Sequence, residues 1–185
     1  METYDDTYYI RRIEKGDVRC YAALVNKYSR PVYSLIFKIV RNREDAEELA
    51  QDVFVKVYRS LSGFKGDCSF STWLYRIAYN SAVSSTRRVK HEWLAFDDTI
   101  INNVSEEDVS QVLGEVDDAD QLRLLEAALE QLPAEEHLLI LLFYRQKKTV
   151  EELATITGRS VSNVKTKLHR IRKKLYVLIK RMEDI

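Results

Sequence analysis

Apolar residues return at steps of three and four through most of the chain, the period of helices that bury one face. Gly16-Asp17 separates two such stretches, and Pro31 is placed to open a third at its first turn. Asn42 reads as an N-cap, followed by Glu44 and Asp45 where the helix dipole favours anions. The helix it opens covers about 43–61, with Ala46, Leu49, Ala50, Val53, Phe54, Val57 and Leu61 on one side as a core face. A polar loop over 63–67 precedes a helix from about Ser69 to Arg88 that buries Leu74, Ile77, Ala78 and Ala82. The pattern lapses over 96–120, which reads as a linker with one short, fragile helix. It resumes from Leu122 to Leu132, breaks at Pro133 and continues from Ala134 to about Gln146. Thr149 and Glu152 form a capping box for a helix ending at Gly158. Ser160 caps a last helix reaching about Arg181, whose Val161, Val164, Leu168, Ile171, Leu175 and Leu178 form one apolar stripe.

With 5 glycines and 2 prolines the chain is too poor in turn residues for a β-rich fold. The expected class is all-α: two small helical domains joined by an acidic linker, the C-terminal one a helix-turn-helix. The expected boundaries are 1–95, 96–120 and 121–185. No apolar run approaches the ~18 residues of a membrane helix, and METYDDTYYI lacks the features of a signal peptide. Cys20 and Cys68 are too few for a disulfide scaffold or an all-cysteine zinc cage, which suits a reducing cytosol. His91, His137 and His169 show no metal-ligand spacing, and no cofactor or metal is expected. Nor is an enzyme: there is no phosphate loop and no nucleophile–base signature.

A net charge of zero hides strong segregation. Residues 96–120 hold nine acids and no Lys or Arg, while the blocks on either side are each mildly basic. Such patterning speaks of partners. From Arg159 to Arg181 there are nine Lys/Arg and no acid. Arg159, Ser160, Ser162, Asn163, Lys165, Thr166, Lys167, His169, Arg170 and Lys173 are the candidate DNA contacts of this last helix, with Arg172 on the same polar surface. Cations displace phosphate counterions, and short polar groups near a helix start reach base edges in the major groove. A basic solvated helix would carry the same charges; the capping box, the Gly158 turn and the absence of acids together favour DNA.

In the first block, the helix at 43–61 turns Glu44, Asp45, Glu48, Gln51, Asp52, Val55 and Arg59 away from its core face. An acidic stripe cannot hold DNA, and an apolar Val55 at its centre suits a protein partner. The next helix aligns Arg76, Asn80, Ser84 and Arg87 on one side, with Trp73 at the edge and Arg88 beyond. Aromatic, amide and basic groups together suit opened or single-stranded nucleic acid, although Trp73, Tyr75 and Tyr79 taken singly are more often packing residues. The loop before it, Phe64-Lys65-Gly66-Asp67-Cys68-Ser69-Phe70, is either a simple turn or a pocket for an extruded base.

Three stretches now carry a resemblance: RNREDAEELAQDVFVKVYRSL (41–61), FSTWLYRIAYN (70–80) and VEELATITGRSVSNVKTKLHRIRKKL (150–175). In order and spacing the chain resembles the extracytoplasmic-function (ECF) sigma factors, the small promoter-specificity subunits of bacterial RNA polymerase. That resemblance implies a cytoplasmic transcription initiation factor which binds core polymerase, selects promoters and helps open DNA. It implies docking on the clamp helices of the β′ subunit through Asp45, Glu48, Gln51, Asp52, Phe54 and Val55, with Arg59 on the same face, and a contact of the C-terminal domain with the β flap. The −10 element would meet the loop at 64–70 (Phe64, Lys65, Ser69, Phe70) and the helix carrying Trp73, Arg76, Asn80, Ser84, Arg87 and Arg88. The −35 element would meet the helix beginning at Ser160. The linker would thread toward the RNA path, its acids imitating nucleic acid. From the charge segregation itself, basic domains on an acidic linker are expected to close acid to base in the free chain and to open on polymerase. An anti-sigma factor is the expected inhibitor. Ser84 and Ser85-Thr86 depart from the family pattern, which bears on the −10 sequence preference. A conventional helix-turn-helix regulator would need a ligand pocket or phospho-acceptor, and neither is visible; a helical adaptor without DNA is the third reading.

Overall fold

A computed structural model describes residues 5–86, 98–113 and 119–183, and every element in them is helical. Contacts divide the chain into two compact units, one of residues 1–90 with 151–159, the other of residues 91–150 with 160–185.

In the first unit, α1 (Asp6–Glu14), α2 (Arg19–Val40), α3 (Arg43–Ser60) and α4 (Phe70–Thr86) follow one another, with a 3-10 turn over Leu61–Gly63. α9 (Val150–Thr157) contributes its residues from Glu151 onward. Helices α2, α3 and α4 pack mutually, and α1 lies on α2. Leu24, Val32 and Ile36 of α2, Ala46, Val53 and Val57 of α3, and Leu74, Ala78 and Ala82 of α4 are buried. The alanines let helix backbones approach closely, while the branched residues fill the space between them. The expected core positions Leu49, Phe54 and Ile77 are only half-buried, at the edge of this packing.

Local chemistry sets the boundaries. α1 ends at Gly16, whose φ of +96° suits a residue without Cβ. Arg12 and Asp17 clip this turn at 2.6 Å, and that guanidinium holds the Asp17 carboxyl below the usual carboxylate range. Lys27 Nζ and Tyr28 Oη both donate to the Asp6 carboxylate, at 2.7 and 2.5 Å, tying α1 to α2. Asn42 caps α3 as expected, accepting from the Asp45 N–H at 3.1 Å. Pro31 differs from expectation: it opens no helix but sits inside α2. Proline removes one intrahelical bond, yet burial of Tyr28 and Val32 on either side anchors both halves of the helix.

In the second unit, α5 (Asp98–Asn103), α6 (Glu106–Leu113), α7 (Ala119–Gln131) and α8 (Ala134–Tyr144) all pack on α10 (Val161–Glu183). α8 is apolar nearly all round and deeply buried, as Leu138, Leu139, Ile140 and Leu142 require. The acidic stretch departs from the expected linker with one weak helix. α5, α6 and the link between them bury Ile101, Val109 and Val104, the last two against Val177 and Tyr176 of α10. A reciprocal cap starts α6: the Ser105 hydroxyl accepts from the Asp108 N–H at 3.1 Å, and the Ser105 N–H donates back to Asp108 at 3.3 Å. α10 is correspondingly buried on more than its expected stripe, adding Val177 and Ile179, while Val161 in its first turn is 36% exposed.

Candidate nucleic-acid and protein interfaces

The outward face of α3 is as the periodicity demands. Asp45, Glu48, Gln51, Asp52, Val55 and Arg59 are exposed, and Phe54 is half-buried. Val55 is 49% exposed, and Tyr58, one turn further on, is 41% exposed. Sequence reasoning missed Tyr58, although its i+3 spacing from Val55 was the available signal. It is held in place by Tyr21 of α2, whose ring lies 5.0 Å from it and whose hydroxyl donates to the Phe54 carbonyl at 2.6 Å. Burial pushes the Tyr21 phenol up to about 12. The result is an apolar pair on a rigid helix, rimmed by carboxylates, a form suited to a partner with an apolar centre and a basic surround.

The second group surrounds the start of α4. Arg76, Asn80 and Ser84 are exposed at four-residue intervals and so share a face. Arg87 and Arg88 lie outside the described residues. Phe64, half-buried, tilts against Trp73 with ring centres 5.3 Å apart, and both rings contact Phe70. Phe70 itself is in the core, edge-on to Tyr28, so it forms the floor under this aromatic pair and not a surface contact. Tyr75 and Tyr79 are likewise buried, and burial pushes the Tyr75 phenol up to about 12. Lys65 is exposed beside Gly66, whose φ of +78° turns the loop. Ser69 caps α4, accepting from the Thr72 N–H at 3.3 Å. Its hydroxyl, with that of the fully buried Thr72, also meets the Glu152 carboxylate of α9.

The third group is the start of α10. α9 ends in a left-handed Gly158 (φ +68°), with the Arg159 N–H donating back to the Ala154 carbonyl at 3.1 Å. Ser160 then caps α10 by accepting from the Asn163 N–H at 3.2 Å. Ser162, Asn163, Lys165, Thr166, His169 and Arg170 are exposed along the next turns, while Arg159 and Lys173 are half-buried. Lys167 behaves differently from its expected role: it is half-buried and pairs with Glu135 of α8 at 3.1 Å. Lys174 pairs similarly with Glu136 at 2.8 Å, and Glu106 of α6 faces both His169 and Arg172. The helix has no acid through Arg181 in its own sequence, yet neighbouring helices bring Glu135, Glu136 and Glu106 to it. Only tertiary structure could reveal those pairings.

Among the described residues no group of three or more His, Cys, Asp or Glu side chains is placed to hold a metal ion. No described helix is long and apolar enough to cross a membrane.

Residues 24–92 match the Sigma-70 region 2 family and residues 122–175 match the Sigma-70 region 4 family. The chain is 30% identical over 182 residues to the ECF RNA polymerase sigma-E factor of Escherichia coli K12, covering 92% of each protein. It is 29% identical over 178 residues to the ECF RNA polymerase sigma factor SigW of Bacillus subtilis, covering 90% of this chain and 92% of that one. Its fold is similar to that of CnrH, solved in complex with the cytosolic domain of CnrY (TM-score 0.66, 21% identity, 95% and 97% of the two chains). It is also similar to the sigma factor RpoE of Bartonella quintana, solved with the anti-sigma factor NepR (TM-score 0.62, 21% identity, 88% and 98%). Two helical sigma regions in this order, on a chain matching its relatives over nearly their full length, make this protein a member of the ECF RNA polymerase sigma factor family, which directs polymerase to promoters at transcription initiation.

Proposed function

We propose that the three exposed groups divide the work of initiation. Residues 1–95 serve as the polymerase-binding and −10 domain, and residues 121–185 as the −35 domain. The observation that carries the reading is the separation of chemistry by element: acid around an apolar centre on α3, amide and cation along one side of α4, polar and basic groups at the start of α10.

Asp45, Glu48, Gln51, Asp52, Phe54, Val55, Tyr58 and Arg59 meet the clamp helices of the polymerase β′ subunit. Phe64, Lys65, Trp73, Arg76, Asn80 and Ser84, continued by Arg87 and Arg88, meet the opened −10 strand. Phe70 and Ser69 support that surface from the core and from the helix cap. Ser160, Ser162, Asn163, Lys165, Thr166, His169 and Arg170 meet the −35 duplex, with Arg159 and Lys173 at its margin, and the same domain contacts the β flap. The chain does no chemistry of its own: free energy from binding unstacked bases offsets an unstacking cost of a few kcal/mol per step. It works in the cytoplasm, where its polymerase is. An anti-sigma factor that covers the polymerase-binding surface holds it inactive; the Bartonella quintana sigma factor of similar fold was solved with an anti-sigma partner.

The test is gel filtration with core polymerase, followed by transcription from a mapped cognate promoter. Asp52→Arg, which reverses one charge on an exposed helix face, is expected to weaken co-elution while leaving duplex DNA binding by the whole chain intact. Equal loss of both activities would refute the division of faces.

A further inference from the structure

The acidic helix α6 is seated on the same helix that is read as the −35 reader. Glu106, in its first turn, places Oε1 3.1 Å from Nδ1 of His169 and Oε2 3.7 Å from Nη1 of Arg172. Each carboxylate oxygen therefore faces one cationic or donor group of α10. The seat is built: Val109 is fully buried, Val104 nearly so, both packed with Val177 and Tyr176, and the Ser105–Asp108 cap fixes where α6 begins. Apolar anchoring at one end of the contact and charge pairing at the other make it specific for this face of α10.

A carboxylate and a phosphate ask the same thing of a histidine and an arginine, namely donors held at a fixed separation. We infer that α6 is a detachable cover for α10, its Glu106 occupying the place that a DNA phosphate takes on His169 and Arg172. Seating of α6 and binding of duplex DNA along this part of α10 are then mutually exclusive. This rests on the reading of α10 as the −35 helix. Energetically, the fraction of chains with α6 seated lowers apparent DNA affinity by the same fraction. Opening the pair also takes up counterions, which offsets part of the release on phosphate contact. The covered chain thus binds DNA more weakly, and with less salt dependence, than its basic residues alone would give.

The experiment titrates a fluorescein-labelled, mixed-sequence DNA duplex with the full-length chain over a series of salt concentrations. Glu106→Gln is compared with Glu107→Gln, which removes the same charge from the next, exposed position of α6. Val109→Ala loosens the seat without changing any charge. Glu106→Gln is expected to bind roughly threefold tighter or more than Glu107→Gln, with a salt slope steeper by about one ion. Val109→Ala is expected to bind tighter than the parent, with unchanged helix content by circular dichroism. Hydrogen exchange is expected to show amides of 106–113 losing protection when DNA saturates the parent chain. Equal affinities for the two glutamine variants, parent-like affinity for Val109→Ala, or undiminished protection of 106–113 would each overturn the cover. Failure of every variant to bind DNA even at low salt would remove the DNA reading itself, and the cover with it.

Discussion

At the scale of single residues, the exposed face of α3 that we propose for polymerase depends on a phenol. Tyr21 reaches from α2 to the Phe54 carbonyl on α3 and lies tilted against the Tyr58 ring, so one side chain supports both the helix pair and the exposed apolar centre. Tyr21→Phe keeps the ring and removes the donor, at an expected cost of about 1 kcal/mol in denaturant unfolding. A pH dependence follows. With the folded phenol near 12 and the unfolded one near 10, stability is full below the unfolded value and is lost as pH rises from 10 toward about 12. Tyr75 adds to the same window, because burial raises it equally far. The Phe variant is therefore expected to lose less of its stability than the parent between these two pH values, measured by urea titration at each pH. Parallel losses would show that the Tyr21 phenol ionises as readily in the folded chain as in the unfolded one.

At the scale of elements, the turn between α9 and α10 hangs on one conformation. Gly158 has φ +68°, and no atom would clash with an added Cβ. The whole cost of Gly158→Ala is then backbone strain, about 1–2 kcal/mol. A thermal unfolding shift of that size, undiminished by any repacking, is expected; a neutral substitution would mean that α10 starts elsewhere. Such caps were legible beforehand, as were Asn42 and Ser160, because a cap is a local bargain between a side chain and its own helix. Elements decided by distant contacts were not. Pro31 marks a helix start by local rules and yet sits inside α2, where core burial on both sides outweighs the lost bond. α5 and α6 are six and eight residues long, too short to display a period, and their packing on α10, with Val109 against Val177 and Tyr176, explains why they are helical. Phe70 was legible as part of a motif but not as buried, since nothing in its neighbours says which ring of three lies underneath.

At the scale of the molecule, a net charge of zero is reached by opposing surfaces and not by mixture. α3 exposes carboxylates, while α10 carries cations that are partly answered by Glu135, Glu136 and Glu106 from its own unit. Those pairings sort the basic residues of α10. Lys167 and Lys174 pair with acids of α8 and are half-buried against it, and Lys165 and Arg170 lie on the exposed surface beyond the polar first turn. The sorting predicts unequal consequences for substitutions that are alike in sequence. Arg170→Ala is expected to reduce −35-dependent transcription and to flatten the salt dependence of DNA binding by about one ion, the signature of one lost phosphate contact. Lys174→Ala is expected to leave that slope unchanged and instead to lower thermal stability, because it strips a largely buried Glu136 of its partner. Salt-dependent DNA binding and thermal unfolding of the two variants, measured on the full chain, separate the roles. If Lys174→Ala flattened the salt slope as much as Arg170→Ala, the acids of α8 would be bystanders and the whole helix would be a single phosphate-binding surface.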